Sequence, residues 1–190
     1  LGTPGAILRK GSRAEASVLP ALPVPVVTLG KRVPTTAADE ALGSVPALRA
    51  ALAAATSADD CDALHPADDT QFDREPQPIT VKRLDGHRLL VSTVCWSGAY
   101  NIGSGYWVVN DRAPYQPRYI TNLGVDDDTR TITAAHKSRG LGDCWSTAAW
   151  AWNGSEYVQT DDASTGLCRL VAAGGAWQMP SLVTEVRTEP

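Results

Sequence analysis

The 190-residue sequence contains no apolar run long enough to cross a membrane and no cluster of basic residues. A helical membrane span needs about 20 consecutive apolar residues, and no segment approaches that length. Basic residues gather only in pairs such as Lys31-Arg32 and Lys82-Arg83, and the formal net charge is −4. Because binding to a polyanion requires a basic patch, we expect no membrane span and no nucleic-acid partner.

The sequence also lacks an initiator methionine and a charged-then-apolar signal segment at its start. We therefore interpret Leu1-Gly2-Thr3-Pro4 as a processed or trimmed end, with sequence missing upstream.

Cysteine is scarce, and its spacing excludes a zinc or redox motif of the Cys-x-x-Cys type. The four cysteines stand at positions 61, 95, 144 and 168. Their even number predicts two disulfides and hence an oxidising compartment, although four buried thiols in a cytosolic protein remain the alternative. Of the three possible connectivities, the simplest joins Cys61 to Cys95 and Cys144 to Cys168, because each bridge then closes a local unit. Loops of this length stabilise by about 3–4 kcal/mol each in the chain-entropy model.

Proline divides the chain into two unequal parts. Pro20, Pro23, Pro25 and Pro34 stand close together, and proline at this density forbids a helix interior or a central strand. We therefore predict that residues 1–43 form an extended connector and that residues 44–190 form one disulfide-stabilised domain.

The second part opens with a helix and continues as strands. Ser44 suits an N-cap, Pro46 a first turn, and Leu48 and Leu52 one face of the helix. From Ile79 onward apolar residues alternate, and Asn153-Gly154 is a strong hairpin signal. The pattern predicts an α+β fold, mostly antiparallel β-sheet with about six or seven strands and one main helix. These strands are expected among eight segments, 79–84, 89–96, 103–110, 118–122, 129–136, 145–152, 155–160 and 182–187.

The polar residues His136, Arg139 and Asp143 follow one another at the end of a predicted strand, where functional loops often lie. The simpler interpretation is a turn in which Asp143 accepts backbone hydrogen bonds and Arg139 pairs with a carboxylate. The alternative is a hydrolase site that uses carboxylates and His136.

Two other chemistries receive little support. Cys144-Trp145 is reminiscent of papain-like proteases, but all three histidines precede Cys144, whereas that mechanism takes its histidine from downstream. The acidic runs, such as Asp126-Asp127-Asp128, lack calcium-loop spacing, so we interpret them as solvated turns. We therefore predict no catalytic residue, no metal site and no cofactor.

Tryptophan and tyrosine concentrate after residue 95. Trp150 and Trp152 share strand parity and face the same side, whereas the neighbours Tyr106 and Trp107 face opposite sides. We interpret most of these rings as core residues of a small β domain. The alternative is an exposed aromatic groove for a glycan or peptide.

Four segments together resemble a bacterial family known only as domain of unknown function 1176. They are 95–101 (CWSGAYN), 139–144 (RGLGDC), 150–154 (WAWNG) and 166–169 (GLCR). The resemblance covers about residues 45–187 and corresponds to the C-terminal half of the family. It implies export to the cell envelope behind a signal peptide, and an N-terminal half of which residues 1–28 are the remnant. It implies no activity.

We therefore expect a periplasmic or secreted, non-catalytic envelope module that binds a protein, peptide or cell-wall glycan. The candidate binding residues are Tyr100, Asn101, His136, Arg139 and Asp143. A purely structural half of a larger protein is a further possibility, and it predicts an exposed apolar face.

Overall fold

The computed structural model describes residues 23–65 and 76–188. Within these residues it contains two short helices, α1 (Ala37–Ala41) and α2 (Pro46–Ala54), and eleven strands. The predicted class, mostly antiparallel sheet with two disulfides, is confirmed. The strands are β1 (Val26–Leu29), β2 (Thr80–Arg83), β3 (Arg88–Ser97), β4 (Ile102–Asn110), β5 (Arg118–Gly124), β6 (Asp126–Asp127), β7 (Thr131–Lys137), β8 (Trp145–Trp152), β9 (Tyr157–Ser164), β10 (Met179–Val183) and β11 (Glu185–Thr188).

The predicted helix forms, but its N-cap is different from the one we expect. Pro46 occupies the first turn and Leu48 and Leu52 are fully buried, as their helical spacing predicts. Ser44 lies in a 3-10 turn that follows α1, and Val45 is the N-cap residue. The Ser44 cap is therefore wrong, because the turn after α1 already occupies Ser44 and leaves an extended Val45 to begin α2.

Strands β2 to β5 form an antiparallel four-stranded sheet in chain order, and this sheet is the middle layer of the molecule. Because side chains alternate across a strand, Trp107 packs on one face of the sheet and Tyr106 on the other. The Trp107 face is covered by α2 and by the 3-10 turn Asp62–Leu64.

The opposite face of this sheet packs on a second antiparallel sheet of five strands, ordered β10-β9-β8-β7-β6. Trp150 and Trp152 of β8 lie in the core between the two sheets, together with Tyr106 and Ile132. The interpretation of these tryptophans as core residues is confirmed. The Asn153-Gly154 hairpin between β8 and β9 also forms, and Gly154 has the positive φ of +94° that favours glycine.

Both disulfides join the pairs that the simplest connectivity predicts. Cys61–Cys95 ties the beginning of the 3-10 turn to β3, and both residues are fully buried in the core under α2. Cys144–Cys168 ties the start of β8 to the segment between β9 and β10. Cys144 is buried and Cys168 is half-buried, so this second bridge lies nearer the surface.

A two-stranded parallel ribbon joins β1 to β11, with Val26 opposite Glu185 and Leu29 opposite Thr188. Strand β1 and helix α1 both fall within the stretch 1–43 that we predict as an extended connector. Residues 1–22 of that stretch lie outside the described residues, and the division at residue 43 stays a prediction.

Among residues 23–65 and 76–188, no helix is both long enough and apolar enough to cross a membrane.

Candidate functional site

Arg139 and Asp143 form an ion pair within the turn between β7 and β8, and both residues also bind the segment after β9. Arg139 lies in the turn after β7, and its guanidinium donates from Nε and Nη2 to the two carboxylate oxygens of Asp143 at 2.8 and 2.6 Å. The same Nη2 donates to the carbonyl of Cys168 at 3.2 Å, and the N–H of Leu170 donates to Asp143 at 2.8 Å. The Arg139 guanidinium holds the pKa of Asp143 well below its usual range, so this carboxylate is ionised at neutral pH.

The second disulfide lies directly beside this ion pair. Carboxylate and sulfur atoms of Asp143, Cys144 and Cys168 all lie within 4.8 Å of one another. Metal binding by cysteine requires thiolate sulfur, and both sulfurs here are joined in a disulfide. The cluster therefore serves to hold the segment after β9 in place.

His136 does not join this ion pair. Its Nε2 lies 2.7 Å from the carbonyl oxygen of Leu123, and its ring lies 5.3 Å from the Trp96 ring, centroid to centroid. The side chain is buried, and its Nδ1 has no hydrogen-bond partner among the described residues. His136, a residue of β7, thus contacts β5 through Leu123 and β3 through Trp96, and both contacts are structural.

Tyr100 and Asn101 lie in the turn between β3 and β4, and they contact the end of β7. The Asn101 side chain donates to the carbonyl of Lys137 at 2.8 Å and accepts from the N–H of Lys137 at 3.0 Å. The Tyr100 hydroxyl lies 3.5 Å from the carbonyl of Ser138, and this side chain is half-exposed. Asn101 therefore uses its amide to join the two sheets, whereas the Tyr100 ring remains open to solvent.

A cleft of about 320 Å³ lies beside the Arg139–Asp143 ion pair, and Asp143 is one of its lining residues. We call it the apolar cleft. Trp177 stands on its wall with 68% of its surface exposed, and Leu167 and Val171 are exposed to a similar degree. Folded proteins rarely leave large apolar side chains clustered in water unless the surface binds something. The lining residues are Asp143, Gly166, Leu167, Arg169, Val171, Ala176, Trp177 and Met179.

The wall of the apolar cleft is fixed by backbone contacts as well as by the disulfide. The N–H of Gly174 donates to the carbonyl of Gly142 at 2.9 Å, and the N–H of Thr165 donates to the carbonyl of Trp145 at 2.9 Å. With the contacts of Asp143, these bonds attach the segment between β9 and β10 at several points. The cleft is thus largely preformed, as ligand pockets usually are.

Of the candidate residues, only Asp143 lines this cleft, and it does so as a partner of Arg139. Sequence reasoning missed Arg169, Val171, Trp177 and Met179 as site residues. Arg169, Val171 and Trp177 lie in the irregular segment between β9 and β10, and Met179 is the first residue of β10, before the strand that the sequence predicts. The available signal was the presence of large apolar residues beside Gly174-Gly175. The role of Tyr100, Asn101, His136, Arg139 and Asp143 in binding stays a prediction.

The hydrolase alternative requires His136 and a carboxylate to meet. Asp143 accepts three hydrogen bonds, from Arg139 and Leu170, and His136 contacts Leu123 and Trp96. A general base must reach the proton that it removes, and neither group points to a shared reacting atom in these contacts. The described geometry gives this alternative no support.

A family model described as a protein of unknown function (DUF1176) matches residues 1–184. This match starts at residue 1, well before residue 45, and so covers essentially the whole chain. No curated protein and no solved structure matches the chain.

Proposed function

We propose that this chain, which belongs to the DUF1176 family of proteins of unknown function, is a periplasmic or secreted, non-catalytic binding module of the bacterial cell envelope. Its ligand is an apolar segment of a peptide or protein partner, which it holds in the apolar cleft. The observation that carries this proposal is the 68% exposure of Trp177 on the wall of a preformed cleft beside a disulfide.

The two disulfides support the proposal that the protein is periplasmic or secreted. Structural disulfides form and persist in oxidising environments and are rare in the cytosol. Both bridges here use all four cysteines and close separations of 34 and 24 residues.

The lining of the cleft favours a peptide over a cell-wall glycan. Leu167, Val171 and Met179 present aliphatic or thioether surface. A glycan needs several hydrogen-bonding groups around an aromatic platform, whereas apolar side chains of a peptide gain most from an apolar wall. Strand β10, which carries Met179, is the outermost strand of its sheet, and edge strands accept extended peptides by strand addition.

A random decapeptide library displayed on phage, selected on the immobilised full chain, tests the binding proposal. We expect enrichment of peptides with large apolar residues, and loss of that enrichment with Trp177→Ser, which removes the exposed wall of the cleft. Ile102→Ser is the matched control, because Ile102 is 49% exposed and does not line the cleft. The proposal is contradicted if no peptide is enriched, which is the result expected of a purely structural module. It is also contradicted if the enrichment survives Trp177→Ser, because the peptides then bind outside the cleft.

Fractionation of the native bacterium with an antibody to the chain tests the compartment. We expect the protein in the periplasmic fraction or the medium, with no thiol that reacts before reduction. Protein found in the cytoplasm with reactive thiols contradicts the localisation.

A further inference from the structure

The apolar cleft carries one positive charge that no carboxylate of the described residues neutralises. We propose that the peptide bound there carries an acidic side chain next to its apolar residue, and that Arg169 binds this carboxylate. This inference rests on the proposed function and adds the charge of the partner segment.

Two charged side chains line the cleft, Asp143 and Arg169. Asp143 is 5% exposed, and Arg139 neutralises it through two hydrogen bonds. A third hydrogen bond comes from the N–H of Leu170. The Asp143 carboxylate therefore has its hydrogen-bonding capacity and its charge satisfied within the fold and offers little to a ligand.

The charge of Arg169, in contrast, is not neutralised by a neighbouring side chain of the described residues. It is exposed, and its side chain makes no ion pair with any residue in 23–65 or 76–188. The cleft thus presents apolar walls and one guanidinium, that of Arg169, which pairs with no carboxylate of the described residues. A guanidinium binds carboxylates with two parallel hydrogen bonds, which makes it selective as well as attractive. Charge complementarity therefore calls for an anionic group at the mouth of the cleft.

The neighbouring strand edge favours a peptide as the source of this anion. Strand β10 pairs with β9 on one side, and no described residue pairs with its other side. An extended peptide added there gains backbone hydrogen bonds while alternate side chains enter the cleft beside Met179. Pro180 and the irregular register after it limit this pairing to a short stretch. The side-chain contacts at the cleft must therefore provide most of the selectivity.

The first test compares peptide pools selected on the native chain and on Arg169→Glu. We expect the native chain to enrich Asp or Glu one or two positions from an apolar residue, and Arg169→Glu to lose that preference and favour Lys or Arg. Arg112→Glu is the matched control, because it changes the net charge equally, its side chain is 90% exposed, and it lies outside the cleft.

The second test measures one selected peptide, labelled with a fluorophore, by fluorescence polarisation. Arg169→Gln should weaken its binding about two- to fivefold, the range of an exposed ion pair. Replacement of its acidic residue by the amide should weaken binding by the same factor on the native chain and change nothing on Arg169→Gln. Pools that are apolar, depend on Trp177 and show no acidic preference overturn this inference and leave the proposed function standing. Pools that do not depend on Trp177 overturn both.

Discussion

Asp39 is a buried carboxylate that holds helix α1 against the central sheet. Arg83 of β2 donates to it through Nη2, and the backbone N–H and hydroxyl of Thr36 donate to its other oxygen at 2.9 Å. Arg83 also donates to Asp111 at 3.0 Å. The hydrogen bond from Arg83 is the main reason that the pKa of Asp39 falls to about 2, below its ordinary value of 3.8.

Asp39→Asn should cost about 1–3 kcal/mol of unfolding free energy at pH 7, because the amide replaces a charge-assisted bond to Arg83. A carboxyl group with a lowered folded-state pKa stabilises above its unfolded pKa and loses this effect as the pH falls through its folded pKa. The difference between native and variant should therefore be constant above about pH 5, shrink from pH 4 to 2 and vanish below.

Urea unfolding at a series of pH values measures this difference. Asp59→Asn is the control, because Asp59 is exposed and makes no ion pair with the described residues. A difference that persists unchanged at pH 2 would show that the amide acts through packing instead of charge.

For single residues, the sequence predicts which side chains pair with each other better than it predicts which side chains are exposed to solvent. The disulfide partners follow from the simplest connectivity, which keeps each bridge local. The turn interpretation predicts only that Arg139 pairs with a carboxylate, and the structure shows that this carboxylate is Asp143. Trp177 and Arg169 could not be recognised as cleft residues, because nothing local distinguishes an exposed tryptophan from one in the core.

Among the elements, strand β4 depends on a glycine where the disulfide approaches its backbone. A Cβ at Gly105 would lie 2.5 Å from the sulfur of Cys95 and 2.2 Å from the Trp107 ring, both fixed in the core. Gly105→Ala should therefore destabilise the fold by about 1–3 kcal/mol through overpacking. Gly86→Ala, where nothing lies within 4 Å of the added Cβ, should change the stability little. Equal midpoints of denaturant unfolding for the two variants would contradict this packing.

The two disulfides should differ in what they stabilise. The double variant Cys144→Ser with Cys168→Ser should lose about 3 kcal/mol, the loop-entropy contribution of a bridge of this span. Its amide hydrogen exchange should increase mainly in residues 165–178, which line the apolar cleft. Cys61→Ser with Cys95→Ser should lose more, because it buries two hydroxyls in the core under α2, whereas the first variant fully buries only the one at position 144. Faster exchange throughout the central sheet in the first variant would show that the bridge supports the core instead.

Strand positions were predictable because alternation of apolar residues is a local signal, and β3, β4 and β8 begin and end within one residue or so of the predicted bounds. The last predicted strand, 182–187, is two strands in the structure, since β10 pairs with β9 and β11 pairs with β1. A change of partner leaves no local pattern. Helix α1 was missed for a similar reason, because five residues show too little periodicity.

On the scale of the whole molecule, the parallel ribbon of β1 and β11 pairs the first described strand with the last. The N–H of Glu185 donates to the carbonyl of Pro25 at 2.9 Å, and the alternation of a parallel ladder then directs the N–H of Val27 towards β11. The N–H of Gly30 donates to the carbonyl of Trp152 at 2.8 Å, so the ribbon is also attached to the hairpin that ends β8.

Val27→Pro should detach this ribbon and leave both large sheets intact, because proline cannot donate to the ladder. We expect a loss of about 1 kcal/mol and faster amide exchange in β11, with the amides of β3 and β4 unchanged. Val24→Pro, which precedes the ribbon, is the control. Unchanged exchange in β11 would mean that the pairing contributes nothing to its protection.

The ribbon also has a consequence for the order in which the fold is completed. A ribosome or an export channel delivers a chain from its N-terminus, so β1 emerges long before β11. Strands β2 to β9 can pair with near neighbours as they arrive, but β1 must wait for β11, which follows all of them along the chain. During that interval its backbone hydrogen-bonding groups are open to chaperones and proteases. Chaperones and proteases can therefore distinguish a chain delivered as far as β11 from one whose synthesis has stopped before it.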